Sequence, residues 1–184
     1  KLISTLLTGC LEDKKIFTHP IPNLIFTRDI AVCIGKTILI TWSKKGVRRR
    51  ENILAKYIFT YYKLFNSLDV FDFHSEFPNS SIEGGDINIF NKDIICIGIS
   101  QRSSIESIIS LLPIIFKNGF KYVYAIDLPK ERNFMHLDTV FTKISKTECL
   151  VYPPLFISNE INYKIYRFKS NLDYSKIHSN DTSL

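Results

Sequence analysis

Residues 30–42 read IAVCIGKTILITW, two apolar runs hinged on Gly35-Lys36. A two-residue step containing glycine between runs rich in β-branched side chains predicts a tight antiparallel hairpin. Downstream, RRENILAKYIFTYYKLF (residues 49–65) sets Ile53, Leu54, Tyr57, Ile58, Tyr61 and Phe65 on one face at helical spacing, which predicts a helix. LDVFDF (68–73) follows as a strand.

The same order then returns. SIEGGDINIF (81–90) and DIICIGIS (93–100) read as strands joined by a short Asn91-Lys92 turn, a helix follows, and FKYVYAIDL (120–128) is again a strand. Ser103 and Glu106 stand three apart and predict a capping box for that helix, whereas Pro113, well past the first turn, predicts a kink or an early end. Upstream, NLIFT (23–27) reads as a strand. FMHLDTVFTKIS and CLVYPPLF, beginning at residues 134 and 149, read as the start of a third unit. Repetition of strand, strand, helix, strand predicts an α/β fold of repeated ββαβ modules. A pseudo-symmetric or propeller-like arrangement follows, with polar residues at strand ends facing a shared axis.

Composition narrows the function classes. With 184 residues, 45% of them hydrophobic, the chain can bury a proper core and does not read as disordered. Its apolar runs are too short and interrupted to span a bilayer, so no membrane partner is expected. Cys10, Cys33, Cys96 and Cys149 form no C-x-x-C pair, which fits neither a disulfide framework nor a zinc site and predicts a reducing, cytoplasmic setting. The net charge of +6 is dispersed apart from KKGVRRR at 44–50. Nucleic-acid binding favours a longer basic face with interleaved aromatics, so no nucleic-acid partner is expected. The first residues, with Leu2, Ile3, Leu6 and Leu7 at helical spacing and no initiator Met, read as the end of a helix begun outside the chain.

Four places break the apolar pattern with ionisable side chains. PNLIFTRD carries Asn23, Arg28 and Asp29; RRRE ends in Glu51; IEGGD sets Glu83 and Asp86 about two glycines; and MHLD supplies His136 and Asp138. If MHLD were a strand, His136 and Asp138 would share one face. Buried there, they would need partners, because a charged carboxylate in an apolar site is costly unless donors or a cation meet it. Gly84 and Gly85 would let a ligand or another backbone approach closely while Glu83 orients a histidine. Arg48 and Arg102 could clamp a carboxylate with a planar guanidinium. A solvated strand edge, a bulge and surface arginines are the plainer readings of the same motifs.

Taken in order, PIPNLIFTRD, RRRE, IEGGD, GISQRSS and FMHLDTVFT resemble arginine deiminase, a member of the guanidino-group-modifying, amidinotransferase superfamily. The likeness runs from about Leu2 to Phe141. It implies hydrolysis of free L-arginine to citrulline and ammonia without metal or organic cofactor, on a partial, pentein-like α/β propeller. By motif position, Asp29 and Asp138 would pair with the substrate guanidinium, His136 would be general acid and base, and Glu83 would hold His136. Asn23, Arg48 and Arg102 would grip the amino-acid end, and Phe26 would pack on the methylene stem. A homo-oligomer is compatible with the resemblance.

The resemblance also implies a nucleophilic cysteine in a glycine-rich loop near the far C-terminus. Cys96 and Cys149 sit in strand-like apolar runs without a Gly-His context and read as structural thiols, and nothing near Cys33 points to a lowered pKa. The expectation is therefore the central part of such an enzyme without its nucleophile. Residues 1–15 would end a helical segment, 16–170 would form the partial catalytic domain, and 171–184 would be a frayed polar tail. Ile30 and Asn52 depart from the family pattern, where Pro and Thr are common. Two other readings use the same residues: a non-catalytic remnant that binds arginine or a homologous subunit, and a metal site of His136, Asp138, Glu83 and Asp29.

Overall fold

The computed structural model describes residues 21–156 and 164–170. Strands β1 (Ala31–Ile34) and β2 (Thr37–Ile40) form the expected antiparallel hairpin, with Ile34 opposite Thr37. Gly35 sits at its tip with φ of 60°, a conformation that costs glycine little. Helix α1 (Arg49–Tyr61) crosses to β3 (Asp69–Asp72), which joins β2 in parallel, giving the order β1-β2-β3. A short helix α2 (Phe73–Glu76) follows, capped by Asp72, whose side chain accepts from the His74 amide.

The second unit repeats this wiring. Strand β4 (Ile87–Ile89) pairs antiparallel with β5 (Ile94–Ile99), helix α3 (Ile105–Lys117) crosses over, and β6 (Tyr122–Asp127) adds in parallel. Beyond it come β7 (Phe141–Lys143), β8 (Cys149–Val151), the short helix α4 (Pro153–Phe156) and β9 (Ile165–Lys169). Strand β9 adds antiparallel to β6, extending that sheet to β4-β5-β6-β9, while β7 and β8 pair separately. No helix among the described residues is long and apolar enough to cross a membrane.

One apolar core runs through both units. Ile108, Leu111, Leu112 and Ile115 of α3 pack with Ile95, Ile97, Val123 and Ala125 of the second sheet, with Ile34 and Leu39 of the first, and with Phe73 of α2. Each aliphatic side chain so buried contributes roughly 1.5–3 kcal/mol. A second cluster, including Leu128, Leu137, Val140 and Leu155, lies against Cys96 and Ile126. It anchors the segment that carries His136.

Several expectations are corrected. NLIFT is not a strand: Pro22–Ile25 and Thr27–Asp29 are two 3-10 turns, consistent with a proline at the start and with Ile25 and Phe26 facing solvent. IEGGD pairs only at Ile82, which bridges Trp42, and turns over Gly84–Asp86. In FMHLDTVFTKIS only Phe141–Lys143 is strand, since Arg132–Phe134 and Leu137–Thr139 are 3-10 turns. His136 therefore precedes a turn that contains Asp138, and the two do not alternate along a sheet. Helix α1 forms, but its buried residues are Glu51, Asn52 and Ala55, while Ile53, Tyr57 and Tyr61 are exposed.

Helix α3 runs through Pro113 to Lys117, because its buried aliphatic face outweighs one missing backbone donor. Its cap is Ser104, which accepts from the Ser107 amide, and not Ser103. Cys149 is exposed on β8, unlike a core thiol, whereas Cys96 is buried and its thiol is pushed up to about 11 by that burial. The helix expected within residues 1–15 and the polar tail at 171–184 lie outside the described residues.

Candidate active site

Three loops deliver the ionisable groups to one place. The 3-10 turn before β1 ends in Asp29, the turn before β4 begins at Glu83, and the segment after β6 brings in His136. All three side chains are buried, at 8%, 1% and 6% exposure. His136 Nε2 lies 2.9 Å from Glu83 Oε2, and His136 Nδ1 lies 3.8 Å from Asp29 Oδ1. The imidazole is thus held between two carboxylates supplied by different modules.

The two glycines of IEGGD make this approach possible. A Cβ at Gly85 would stand 2.6 Å from His136 Nδ1 and 2.9 Å from Asp29 Oδ1, and one at Gly84 would stand 2.0 Å from the Arg28 carbonyl oxygen. Another backbone and a histidine fill the space that side chains would need.

Glu83 is fixed at both ends. Its amide donates to Ser103 Oγ at 3.2 Å, its Oε1 accepts from the Lys44 amide at 3.1 Å, and Arg102 Nη1 stands 3.9 Å away. Burial alone would push its carboxyl up, but the hydrogen bond and charge of His136, with Arg102, hold it below the usual range. Burial would likewise push His136 down. The bond to Glu83 and the charges of Asp86, Asp29 and Glu83 prevail, and favour the imidazolium.

The guanidinium groups of the chain itself occupy the other two acids. Arg48 Nη1 is ion-paired with Asp29 Oδ2, its Nε donates to Glu51 Oε2 at 2.9 Å, and its Nη2 donates to the carbonyls of Asn23 at 3.1 Å and Phe26 at 3.4 Å. Its guanidinium carbon also lies 6.0 Å from the Phe26 ring centre. Asp29 and Glu51 hold Arg48 above its ordinary value against the opposing effect of burial. Asp138 is further out: its Oδ2 lies 3.5 Å from Arg28 Nε, and Arg28 also reaches Asn88 Oδ1 at 2.5 Å and the Ile87 carbonyl at 3.1 Å. Burial raises the Asp138 carboxyl, opposed by the charges of His136 and Arg28.

The polar inner face of α1 now has a physical reason. Asn52 accepts from the Ser43 amide and donates to Thr41 Oγ1, whose hydroxyl donates to the Asp29 carbonyl at 2.6 Å. Glu51 and Asn52 thus brace the turn that carries Asp29. On the far side of Glu83, Lys44, Lys45, Ser100, Gln101, Arg102 and Lys130 line an open cleft of about 460 Å³. Its positive charge suits a carboxylate.

Of the eight residues singled out, His136 meets both Asp29 and Glu83, Arg48 pairs with Asp29, and the carbonyls of Asn23 and Phe26 accept from Arg48. Asp138 joins through Arg28, and Arg102 through Glu83. Arg28, Asp86 and Ser100 had no assigned role, and Ser103 only that of a helix cap. Asp86 stood in the IEGGD motif, but its serine partners belong to a loop whose only sequence signal resembled a helix cap. Among the described residues, no group of three or more His, Cys, Asp and Glu side chains is arranged to hold a metal ion.

A mixed α/β fold of several small sheets is that of the pentein proteins, the amidinotransferase superfamily. Solved relatives share it: the AgrE C264A mutant in binary complex with L-arginine matches at a TM-score of 0.60 and 23% identity, over 72% of this chain and 18% of that one. Dimethylarginine dimethylaminohydrolase from Pseudomonas aeruginosa, a C249S mutant complexed with citrulline, matches at 0.56 and 25%, over 71% and 47%. Within that superfamily the sequence is more specific. The arginine deiminase family profile matches residues 3–183, and the chain belongs to the arginine deiminase family. It is 41% identical over 161 residues to arginine deiminase of Borrelia garinii subsp. bavariensis, covering 86% of this chain and 38% of that protein. It is 38% identical over 178 residues to arginine deiminase 1 of Staphylococcus epidermidis, covering 93% and 42%. The chain thus spans about two fifths of the length of these relatives.

Proposed function

We propose that this chain supplies the guanidinium-binding and proton-transfer part of an arginine deiminase that hydrolyses L-arginine to L-citrulline and ammonia. The observation that carries the reading is the buried His136–Glu83 contact at 2.9 Å with the Asp29 carboxylate beside the other ring nitrogen. An imidazole biased toward its charged form, next to an acid that can bind a cation, suits a reaction that must protonate departing ammonia.

In this reading the substrate guanidinium exchanges for the internal ones. It takes Asp29 and Asp138 from Arg48 and Arg28, and the released Arg48, with Asn23 and Arg102, turns to the α-carboxylate end while Phe26 covers the methylene stem. A cysteine thiolate attacks the guanidinium carbon, and His136 gives a proton to the leaving ammonia. The resulting thiouronium is hydrolysed by a water that His136 deprotonates, which releases citrulline and restores the thiolate. The cysteine comes from outside these 184 residues, since no glycine of the chain is followed by histidine and Cys96 is a buried core thiol.

The two ββαβ units are read as adjacent blades of an α/β propeller whose third blade starts at β7 and β8, within a catalytic domain spanning residues 16–170. A cytoplasmic setting and a homo-oligomeric assembly are compatible with it. The test is turnover. The purified 184-residue chain is expected to bind arginine but release no citrulline, and to gain activity when joined to a cysteine-bearing downstream segment. In that joined enzyme His136→Ala should cost about 10²–10⁴ in kcat. Citrulline formed by the isolated chain would overturn the assignment of the nucleophile, and an inactive joined enzyme would favour a non-catalytic arginine-binding role.

A further inference from the structure

Asp86 is fully buried at the end of the turn that begins with Glu83, and no Lys or Arg among the described residues pairs with it. Its Oδ1 accepts from the Leu137 amide at 3.0 Å, the peptide group that follows His136. Its Oδ2 accepts from Ser100 Oγ at 2.7 Å and Ser103 Oγ at 2.6 Å. Ser103 Oγ in turn accepts from the Glu83 amide. One carboxylate therefore reaches the backbone of both partners in the histidine–glutamate contact, directly on one side and through one hydroxyl on the other.

The surroundings are shaped for this link. A Cβ at Gly98 would stand 2.6 Å from Asp86 Oδ1 and 2.9 Å from Leu137 Cβ, so β5 must be bare where the carboxylate and the Leu137 segment meet. Ser100 also binds the amides of Arg102 and Ser103, at 2.9 and 3.3 Å, which fixes the loop that presents Ser103. An acid this deeply buried, with neutral donors as its direct partners, is costly. Satisfying it from two separate segments, the 100–103 loop and the turn after His136, makes their placement relative to its own segment specific.

We propose that Asp86 is a positioning residue, holding His136 and Glu83 in register through the Leu137 amide and Ser103. Its consequence for catalysis rests on the reading of His136 as the acid and base; the geometric claim does not. If Asp86 acted only as a nearby charge, it would affect His136 without affecting how strongly Glu83 does. The charged groups facing His136 are Glu83, Asp29 and Asp86, with Asp138 and Arg102 next to them.

The experiment measures the imidazole midpoint of His136 by NMR titration in the 184-residue chain, with and without Glu83→Gln, in three backgrounds. In the parent chain E83Q should lower the midpoint by about one pH unit, the loss of one close opposite charge. In Asp86→Asn, whose amide oxygen still accepts from Leu137, E83Q should shift it nearly as much. In Asp86→Ala the shift should fall to less than half, because the histidine and glutamate have lost their common support. A full shift in D86A overturns the proposal. If D86A does not fold, Ser103→Ala, which cuts only the Glu83 branch, should reduce the shift, and an unchanged shift there overturns it equally. Turnover by the chain joined to its cysteine-bearing segment is measured separately, so an inactive enzyme would count against the deiminase reading and leave the titration result standing.

Discussion

At the scale of single residues, opposite environments push neighbouring acids apart. Glu83 is ionised more readily than a free carboxylate because His136 and Arg102 meet it, whereas Asp86, with only neutral donors in direct contact, is pushed up to about 7 by burial. The folded chain thus holds a proton on Asp86 that the unfolded chain, with an aspartate near about 3.9, has released. Stability falls as pH rises through that window, by an amount on the order of 4 kcal/mol. Asp138, also raised, acts with the same sign. The contribution of His136 is complete below its unfolded value of 6.5 and is lost only as pH rises through its raised folded value. That of Glu83 is present above 4.5 and lost as pH falls. Between pH 5 and 6.5 the slope should therefore come mainly from Asp86, and Asp86→Asn should make it clearly shallower in urea unfolding. Parallel slopes for the two proteins would contradict this. The sequence exposes Asp29, Glu83 and His136 because each interrupts an apolar run. It could not expose the work of Asp86, whose partners are two serines and an amide from segments distant in the chain.

At the scale of elements, what was legible depended on who the neighbours are. Hairpins and helices follow from local pattern, and both ββαβ units were read from it. The 3-10 turns that carry Asp29, Glu83 and Asp138 were not, because NLIFT and FMHLDTVF have strand-like composition and only tertiary contacts bend them. The buried face of α1 was missed for a related reason: Glu51 and Asn52 are drawn inward by Arg48 and Thr41, against the hydrophobic stripe. The same distinction separates two adjacent serines. Ser104→Ala removes the cap of α3 and should cost about 1 kcal/mol, with His136 titrating as before. Ser103→Ala should disturb the titration of His136. The glycine pair of IEGGD gives a steeper test. Gly85→Ala forces a methyl against the His136 ring and should cost about 1–3 kcal/mol. Gly84→Ala meets the rigid Arg28 carbonyl and should cost more. Equal and small losses in chemical denaturation would mean that the two turns are not packed as described.

At the scale of the whole molecule, the two modules must hold a common geometry, because the acids and the imidazole come from both. Apart from the polar contacts at the site, three features join them: the shared apolar core, the paired Trp42 and Ile82 backbones, and Asn118 at the end of α3. Asn118 Nδ2 donates to Thr37 Oγ1 and to the Ile114 carbonyl, each at 2.9 Å, while its Oδ1 accepts from the Lys36 amide at 3.0 Å. One amide therefore closes its own helix and grips the hairpin tip of the other module. This junction was not visible in sequence, where Asn118 before Gly119 reads simply as a helix end. Replacing Asn118 by Ala removes both inter-module bonds, worth about 0.5–1.5 kcal/mol each in net terms. The loss should be localised. Amide exchange at Lys36 and Thr37 should accelerate by at least the factor of about ten that corresponds to 1.4 kcal/mol, while amides in the middle of α3, held by the core, should keep their protection. If exchange rose equally in α3 and in the hairpin, Asn118 would be holding the helix rather than coupling the modules. A hairpin unchanged by N118A would leave the core and the Trp42–Ile82 bridge as the connections that bring Asp29 to His136.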